Sequence, residues 1–306
     1  MKKLLLIAVL SMLSTGVLAG KTMTIVAGFP AGTGHDLVAR QLAKDLSQNS
    51  DIDFVVENRV GAGGQIAVNE VSGLDDPARP KLLVFTNTLY VNTYLTKRYD
   101  RITPYLLKPV GFIGNVPLLL NVNSEKPIYN LKDLKKISGG VKAGTGGPGS
   151  IPEISSLYLA DKLGLTVDSI PYPGQNKAFI DLSSGQLDMV FDYYKSSVPY
   201  IDSGKVRPIA VTGNKRLEAF PTVPTFREQG VEWPLEAFFM LYASKNIDPR
   251  TLADLRKKIA AIIKTNPEAY HNLGLITNNG YNSDIEKYHL DTMTKYQNFK
   301  LPYRKD

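Results

Sequence analysis

The residues best suited to chemistry in this chain are the glycines of three turns. The first reads Gly28-Phe29-Pro30-Ala31-Gly32-Thr33-Gly34, the second Gly61-Ala62-Gly63-Gly64, the third Gly144-Thr145-Gly146-Gly147-Pro148-Gly149-Ser150. Each lies between a β-rich run and a helical pattern. A helix N-terminus offers backbone N–H groups with no carbonyl four residues back, and a partial positive charge with them. Glycine lets such a backbone come close to an anion and take φ > 0. Turns of this kind hold phosphate, sulfate or carboxylate without a charged side chain. One such turn is as well explained as a tight connection; three in one chain point to an anion site.

Competing chemistries fit less well. Gly144 to Gly149 spells G-x-G-x-x-G, the dinucleotide fingerprint, but Pro148 stands inside it and Asp168 precedes the next apolar run instead of ending it. The segment also lacks the Gly-Lys-Ser/Thr ending of a nucleotide-hydrolysing loop. His35, His271 and His289 are far apart, none in His-Glu-x-x-His, and no serine stands in Gly-x-Ser-x-Gly. The chain has no cysteine, which removes disulfides, thiolate metal sites and a cysteine nucleophile. His271 and His289 read as surface or helix-packing residues. His35 differs because it falls beside the first glycine turn.

The elements that must hold these turns alternate. Residues 22–27, 54–56 and 82–86 read as strands, 36–46 as a helix, and 66–71 as another helix start. Strand, glycine turn and helix in repetition indicate an α/β domain with a largely parallel sheet. The pattern returns with strands at 118–122, 140–143, 187–192, 209–212 and 237–243. Helices fall at 131–136, from 150 to 163, and at 176–183. Residues 250–264 form a strongly amphipathic helix with Leu252, Leu255, Ile259, Ile262 and Ile263 on one face. No Ser/Pro-rich linker separates the halves, which favours domains joined by strands that cross between them.

Length and composition agree. The chain has 306 residues, 43% hydrophobic and 21% charged, as globular proteins do, with room for two cores. Residues 1–19 read as a signal peptide: Lys2 and Lys3 lead a short apolar run, and Val17-Leu18-Ala19 offers the cleavage site. The run is short for a membrane span. Cleavage removes two lysines and takes the formal charge from +7 to +5. Export to the periplasm sets nucleic acid aside as a partner.

Further residues resemble one family. Gly28-Phe29-Pro30-Ala31-Gly32-Thr33-Gly34-His35-Asp36, with Ala39-Arg40 behind it, resembles the opening motif of the Bug-type extracytoplasmic solute receptors, the substrate-binding proteins of tripartite tricarboxylate transporters. The similarity continues at Val56-Glu57-Asn58-Arg59-Val60-Gly61-Ala62-Gly63-Gly64, at 144–150, at Pro171-Tyr172-Pro173-Gly174, at Ser184-Gly185-Gln186-Leu187-Asp188-Met189 and at Phe191-Asp192. Ser203-Gly204-Lys205-Val206-Arg207, Ala210-Val211-Thr212 and Pro221-Thr222-Val223-Pro224-Thr225 follow in the same order. The matches span most of the mature chain.

The resemblance implies a two-domain periplasmic-binding-protein clamshell of the Venus-flytrap kind, α/β with crossover strands. The expected domains are 20–117 plus 243–306, and 118–242. It implies a carboxylate gripped by backbone N–H groups and ordered water in the cleft. One loop would supply Phe29, Ala31, Gly32, Thr33, Gly34, His35 and Asp36, the other Thr145, Gly146, Gly147, Gly149 and Ser150, with Tyr172, Asp192, Tyr194 and Lys195 beside them. Asp36 is expected to cap its helix in preference to touching ligand. Phe29 would cover the apolar part of the ligand or pack its own loop. Lys195 would meet a second anionic group, with Tyr194 as a wall, unless it is a solvated lysine.

Several positions depart from the family pattern: Thr33 for a second glycine, His35 for a small polar residue, Pro152-Glu153 for a stretch with a histidine, Tyr193-Tyr194-Lys195 for small residues and a proline. The 74–81 segment lacks the usual Asp-Gly-Tyr-Thr turn. The resemblance implies a monomeric receptor, not an enzyme, with no cofactor or metal. Its partners would be a small carboxylate (a di- or tricarboxylate, an acidic amino acid or an aromatic acid) and the small and large integral membrane subunits of a secondary transporter. A sensing module feeding a signalling receptor, or an enzyme on the same scaffold, are the alternatives.

Overall fold

Runs of Val, Ile, Leu and Phe pair into two sheets. The computed structural model describes residues 21–73, 80–100, 103–172 and 175–299. The expected signal peptide, the 74–79 part of the departing loop, and Pro173-Gly174 lie outside the described residues. β1 (Lys21–Ala27) is followed by α1 (Gly34–Gln48), β2 (Ile52–Asn58), α2 (Gln65–Ser72) and β3 (Lys81–Thr86). α3 (Thr88–Tyr90) continues into a π-turn over Val91–Leu95, and β4 (Leu107–Asn115) comes next. α1 buries Val38, Ala39, Leu42 and Leu46, the three- and four-residue spacing of one helix face. Each fully buried Val or Leu contributes about 1.5–3 kcal/mol relative to exposure.

Two residues beyond β4 the chain enters the second sheet as β5 (Leu118–Asn123). β6 (Val141–Thr145), α4 (Ile151–Leu163), β7 (Val167–Pro171), α5 (Gln175–Ser183), β8 (Met189–Tyr193), α6 (Tyr194–Asp202) and β9 (Val206–Val211) build it. The chain returns as β10 (Phe238–Ser244) and ends its described part with α7 (Pro249–Thr265), α8 (Pro267–His271) and α9 (Ile285–Asn298). Strand order is β2-β1-β3-β10-β4 in the first sheet and β7-β6-β8-β5-β9 in the second.

The sheets are mixed where the sequence pattern suggested largely parallel ones. β10 is antiparallel to β3 and β4, and β5 is antiparallel to β8 and β9. In each sheet the reversed strand is the one that arrives from the other sheet. The two crossings lie side by side, with the Val116 N–H donating to the Ala237 carbonyl at 2.8 Å. β10 belongs whole to the first sheet, and the expected boundary at 242 falls inside this strand. One apolar cluster runs through the crossing, from Phe239 and Met240 to Leu118, Leu120 and Phe191.

β4, like β7, is a strand that periodicity did not reveal. Pro109, Gly111 and Gly114 interrupt β4. It is an edge strand pairing with β10 alone, through two register shifts, so a proline is tolerated. A Cβ on Gly111 would stand 2.4 Å from Ile259 Cγ2, so the glycine is what lets α7 approach the sheet.

α9 is anchored by a buried polar chain. Its His289 Nδ1 meets Tyr90 Oη at 2.8 Å, which meets Tyr242 Oη at 3.0 Å, while His289 Nε2 faces the Pro104 carbonyl at 3.3 Å. Burial lowers His289 to about 4. The unfolded chain therefore binds a proton between pH 6.5 and 4 that the folded chain refuses, and stability is lost as pH falls through that window. Thermal unfolding across pH 7 to 4 is expected to show this fall, and His289→Gln is expected to flatten it. An unchanged slope in the variant would remove His289 from the cause.

Candidate ligand-binding site

The first glycine loop leaves β1 at the C-terminal edge of the sheet, where Ala27 is level with Asn58 and Val84. Thr33 is the N-cap of α1 but gives it no side-chain bond; its hydroxyl donates to the Pro30 carbonyl at 2.7 Å. The N–H groups of Gly34, His35 and Asp36 open the helix without an intrahelical carbonyl. Asp36 reaches back, accepting the Gly32 N–H at 2.9 Å, and it also accepts from Arg40 Nε at 3.0 Å and Asn58 Nδ2 at 3.0 Å. Burial works to raise this carboxyl, but Arg40, Gly32 and Asn58 outweigh it and hold it below the usual range. Asp36 thus organises the loop as an acid at the third helical position, and the Gly32 donor is already taken. Ala31 and Gly32 are exposed at the tip.

His35 is enclosed by rings. Phe29 lies 4.1 Å from it, Phe239 5.0 Å and Phe85 5.7 Å, centroid to centroid. It is 6% exposed, and its Nε2 has no partner among the described residues. Burial drives it down to about 3, so it is a neutral imidazole at any physiological pH. Phe29 is half-buried and packs on His35 and Phe85, so it serves its own loop.

The second loop has the same construction. Ser150 caps α4, accepting the Glu153 N–H at 3.3 Å, while Glu153 Oε2 accepts the Gly149 N–H at 2.5 Å. Gly32 to Asp36 and Gly149 to Glu153 are thus the same four-residue reach-back, from glycines with φ of +80° and +79°. Burial pushes Glu153 up, offset in part by the Gly149 N–H and the Arg98 guanidinium. Thr145 is buried; its hydroxyl faces Gly147 N–H at 3.4 Å. Gly146 is exposed and Gly147 half-exposed.

The two lobes touch here. A Cβ on Gly149 would lie 1.9 Å from Asn92 Oδ1 and 3.3 Å from Arg98 Cδ, and the Pro148 carbonyl is 3.9 Å from where a Gly63 Cβ would be. Tyr193 reaches across to Phe239, 6.2 Å between rings.

Other expected residues are placed differently. Tyr172 donates its hydroxyl to Asp181 at 2.5 Å and its N–H to the Thr145 carbonyl at 2.9 Å. Burial and then Asp181 push it up to about 12. It ties the second loop to α5. Asp192 is buried, with Oδ2 unpaired. Tyr194 and Lys195 stand against Gly274, whose Cβ would meet Lys195 Cγ at 2.7 Å and Tyr194 Cε1 at 3.2 Å. The Lys195 ammonium sits 5.7 Å over the Tyr194 ring. Tyr194 lines a cavity of about 710 Å³ at the crossing, with Val116, Pro117, Ala237 and Leu275. The structure therefore places Tyr194 beside the crossing strands and Lys195 beside Gly274.

Residues that the sequence did not single out complete the loops: Phe85 and Phe239 around His35, Asn92 and Arg98 against Gly149, and Gln175 beside Asp192. Glu153, noted above only as a departure from the family pattern, carried a local signal for its loop role, the Ser-x-x-Glu spacing from Ser150. Among the described residues no group of three or more His, Asp or Glu side chains is set to hold a metal, and no helix is long and apolar enough to cross a membrane.

Residues 38–299 match the model of the tripartite tricarboxylate transporter family receptors. The chain is 30% identical over 249 residues to the UPF0065 protein in the TAR-I ttuE-ttuC' intergenic region of Agrobacterium vitis, covering 79% of this chain and 70% of that one. It is 28% identical to the protein BugT of Bordetella pertussis, over 78% of this chain and 75% of that one. Among solved structures, the periplasmic binding protein BugD superposes with a TM-score of 0.77 at 25% identity, covering 90% and 95% of the two chains. MatC of Rhodopseudomonas palustris with bound malate superposes with a TM-score of 0.80 at 22% identity, covering 90% and 98%. R. palustris Rpa4515 with adipate gives 0.79 at 24%, covering 92% and 96%. The last two likenesses establish the two-lobed periplasmic-binding-protein fold.

Proposed function

The chain belongs to the tripartite tricarboxylate transporter receptor family, and on that premise we propose that it captures a small organic carboxylate in the periplasm and delivers it to the integral membrane subunits of a secondary transporter. Its relatives are solute-binding proteins and not enzymes. The observation that carries the ligand class is the duplicated loop. In each lobe a glycine turn opens a helix at the C-terminal edge of the sheet, the place where ligands of open α/β sheets lie. Each turn is held rigid by its own acid and presents backbone N–H groups to an anion. Gly34, His35 and Asp36 would donate from the first lobe, Gly146 and Gly147 from the second, with Phe29 over the apolar part of the ligand. The uncharged His35, in the tautomer protonated at Nε2, would add a donor without adding charge. Malate and adipate, each bound by a structure of this fold, are carboxylates of the size intended.

Binding in one lobe and closure onto the other would select the closed form, because only there do both loops reach the ligand. The contact of Asn92 and Arg98 with Gly149 supports such a closed form. The test is thermal unfolding of the chain from Lys21 onward with a panel of small organic acids and their neutral amides. A ligand at a hundred times its Kd stabilises by about 2.7 kcal/mol, roughly 5–10 °C for lobes of this size. An acid is expected to raise the midpoint where its amide does not. Stabilisation by neutral or cationic solutes alone would overturn the carboxylate reading.

A further inference from the structure

Two enclosed oxygens at the C-terminal edge of the second sheet have nothing to accept from. Asp192 is 2% exposed, and no donor among the described residues reaches its Oδ2. Gln175, the first residue of α5, gives its Nε2 to the Phe191 carbonyl at 2.9 Å and leaves its Oε1 enclosed and equally unpaired. The two side chains are neighbours, since the Gln175 amide acts on the Asp192 carboxyl. Buried polar atoms in folded proteins are nearly always paired, because an unpaired one gives up its bond to water and gains nothing back. Two adjacent exceptions of the same kind, both acceptors, call for a donor with more than one hydrogen.

Their place in the fold says where that donor comes from. β8 runs parallel beside β6 with Val190 level with Gly144, and Asp192 lies two residues further along β8, at the end of the sheet from which the second loop leaves β6. The next residue, Tyr193, faces Phe239, whose other neighbour is His35 of the first loop. No cation is among the groups that act on Asp192. Burial lifts the carboxyl to about 7, with the Tyr193 N–H and the Gln175 and Ser196 side chains offsetting part of the effect. A positive group arriving beside it favours the ionised form. A second ligand carboxylate in the same place would face two unpaired acceptors, Asp192 Oδ2 and Gln175 Oε1. Lys195, the residue expected to receive one, packs on Gly274.

We infer that the ligand is an aminocarboxylate, its carboxylate held by the glycine loops and its ammonium set against Asp192 Oδ2 and Gln175 Oε1. An ammonium carries three donors and can serve both oxygens at once. The inference rests on the carboxylate reading of the cleft and narrows it. The competing account is a proton shared between the two oxygens, which makes Asp192 a buried structural acid with no bearing on the ligand.

Matched acids separate these accounts: L-aspartate against succinate, L-glutamate against glutarate, and L-phenylalanine against 3-phenylpropionate, each tested at pH 8 by thermal unfolding and then by calorimetric titration. The amino member of a pair is expected to bind at least about 30-fold more tightly, the range of a hydrogen bond between charged groups. Asp192→Asn is expected to remove most of that preference, read as the ratio of affinities within each matched pair. Gln175→Met keeps the shape, removes one acceptor, and is expected to narrow the gap by about tenfold if Asp192→Asn does not fold. Equal or tighter binding of the amine-free members, or a preference that survives both substitutions, overturns the inference while the carboxylate reading stands. No binding by any member overturns both.

Discussion

Replacing Gly149 by alanine is expected to weaken ligand binding about 100-fold, equivalent to about 2.7 kcal/mol, with only a modest loss of stability in the ligand-free protein. Gly149 has φ = +79°, and a side chain there costs about 1–2 kcal/mol whichever way the lobes stand. The larger cost depends on closure. The new Cβ would fall 1.9 Å from Asn92 Oδ1, on the other lobe. Asn92 is fully buried and holds the Thr96 hydroxyl at 3.1 Å, so it cannot simply swing aside. Overpacking of this kind costs about 1–3 kcal/mol, and here it is felt only when the lobes meet. Calorimetric titration of the ligand identified by the acid panel reads the first effect, and unfolding without ligand reads the second. Asn92→Ala in the same chain opens the space and is expected to recover most of the affinity, a coupling of the kind contacting residues show. Unchanged affinity in Gly149→Ala would mean that the lobes do not bind ligand in the closed arrangement described.

The second large effect is on stability. Gly64→Ala is expected to cost about 2–5 kcal/mol, the sum of about 1–2 for a side chain at φ = +91° and about 1–3 for overpacking. Its Cβ would sit 2.5 Å from Phe85 Cζ and 3.3 Å from Phe29 Cε2, inside the ring cluster that encloses His35. The unfolding midpoint is expected to drop by roughly 10 °C. Phe85→Leu in the same chain removes the colliding ring edge and is expected to return part of the loss. A drop of only a degree or two would show that Phe85 moves freely, and that the cluster is looser than its distances suggest.

Gly64 also shows what the sequence could convey. Three glycine turns looked alike on the page, each a candidate for anions. The first and third open long helices with an acid at the third position, and their geometry keeps that reading open. In the second, Gly61 leaves room for Ile66 and Gly64 for Phe85, which is packing. A glycine needed for ligand approach and one needed for a neighbouring ring are identical in sequence, because the ring is distant along the chain.

The same limit governs the rest. α1, α4 and α7 were legible because their signals are local: a cap, a proline, a three- to four-residue apolar rhythm. β4 was not, since its partner β10 lies more than a hundred residues away and its glycines serve α7. Asn92 and Arg98 gave no sign of meeting Gly149 across the cleft. Asp192 was noticed by resemblance, but its enclosure and its unpaired oxygen exist only once Gln175 is folded beside it.

The position of β10 sets the order in which the molecule can be finished. It lies between β3 and β4, so those two strands have no backbone partner in each other and β4 has nothing to pair with until residue 238 is available. The first lobe is therefore completed by a segment that emerges after the whole of the second. A chain threaded through a membrane from its N-terminus cannot close this sheet early. It must stay open until some four-fifths of its length is across, and such long-range closure is intrinsically slow. Under the proposed periplasmic role, a chain exported unfolded would gain from this late completion, because the half-made lobe has no finished sheet to jam the passage.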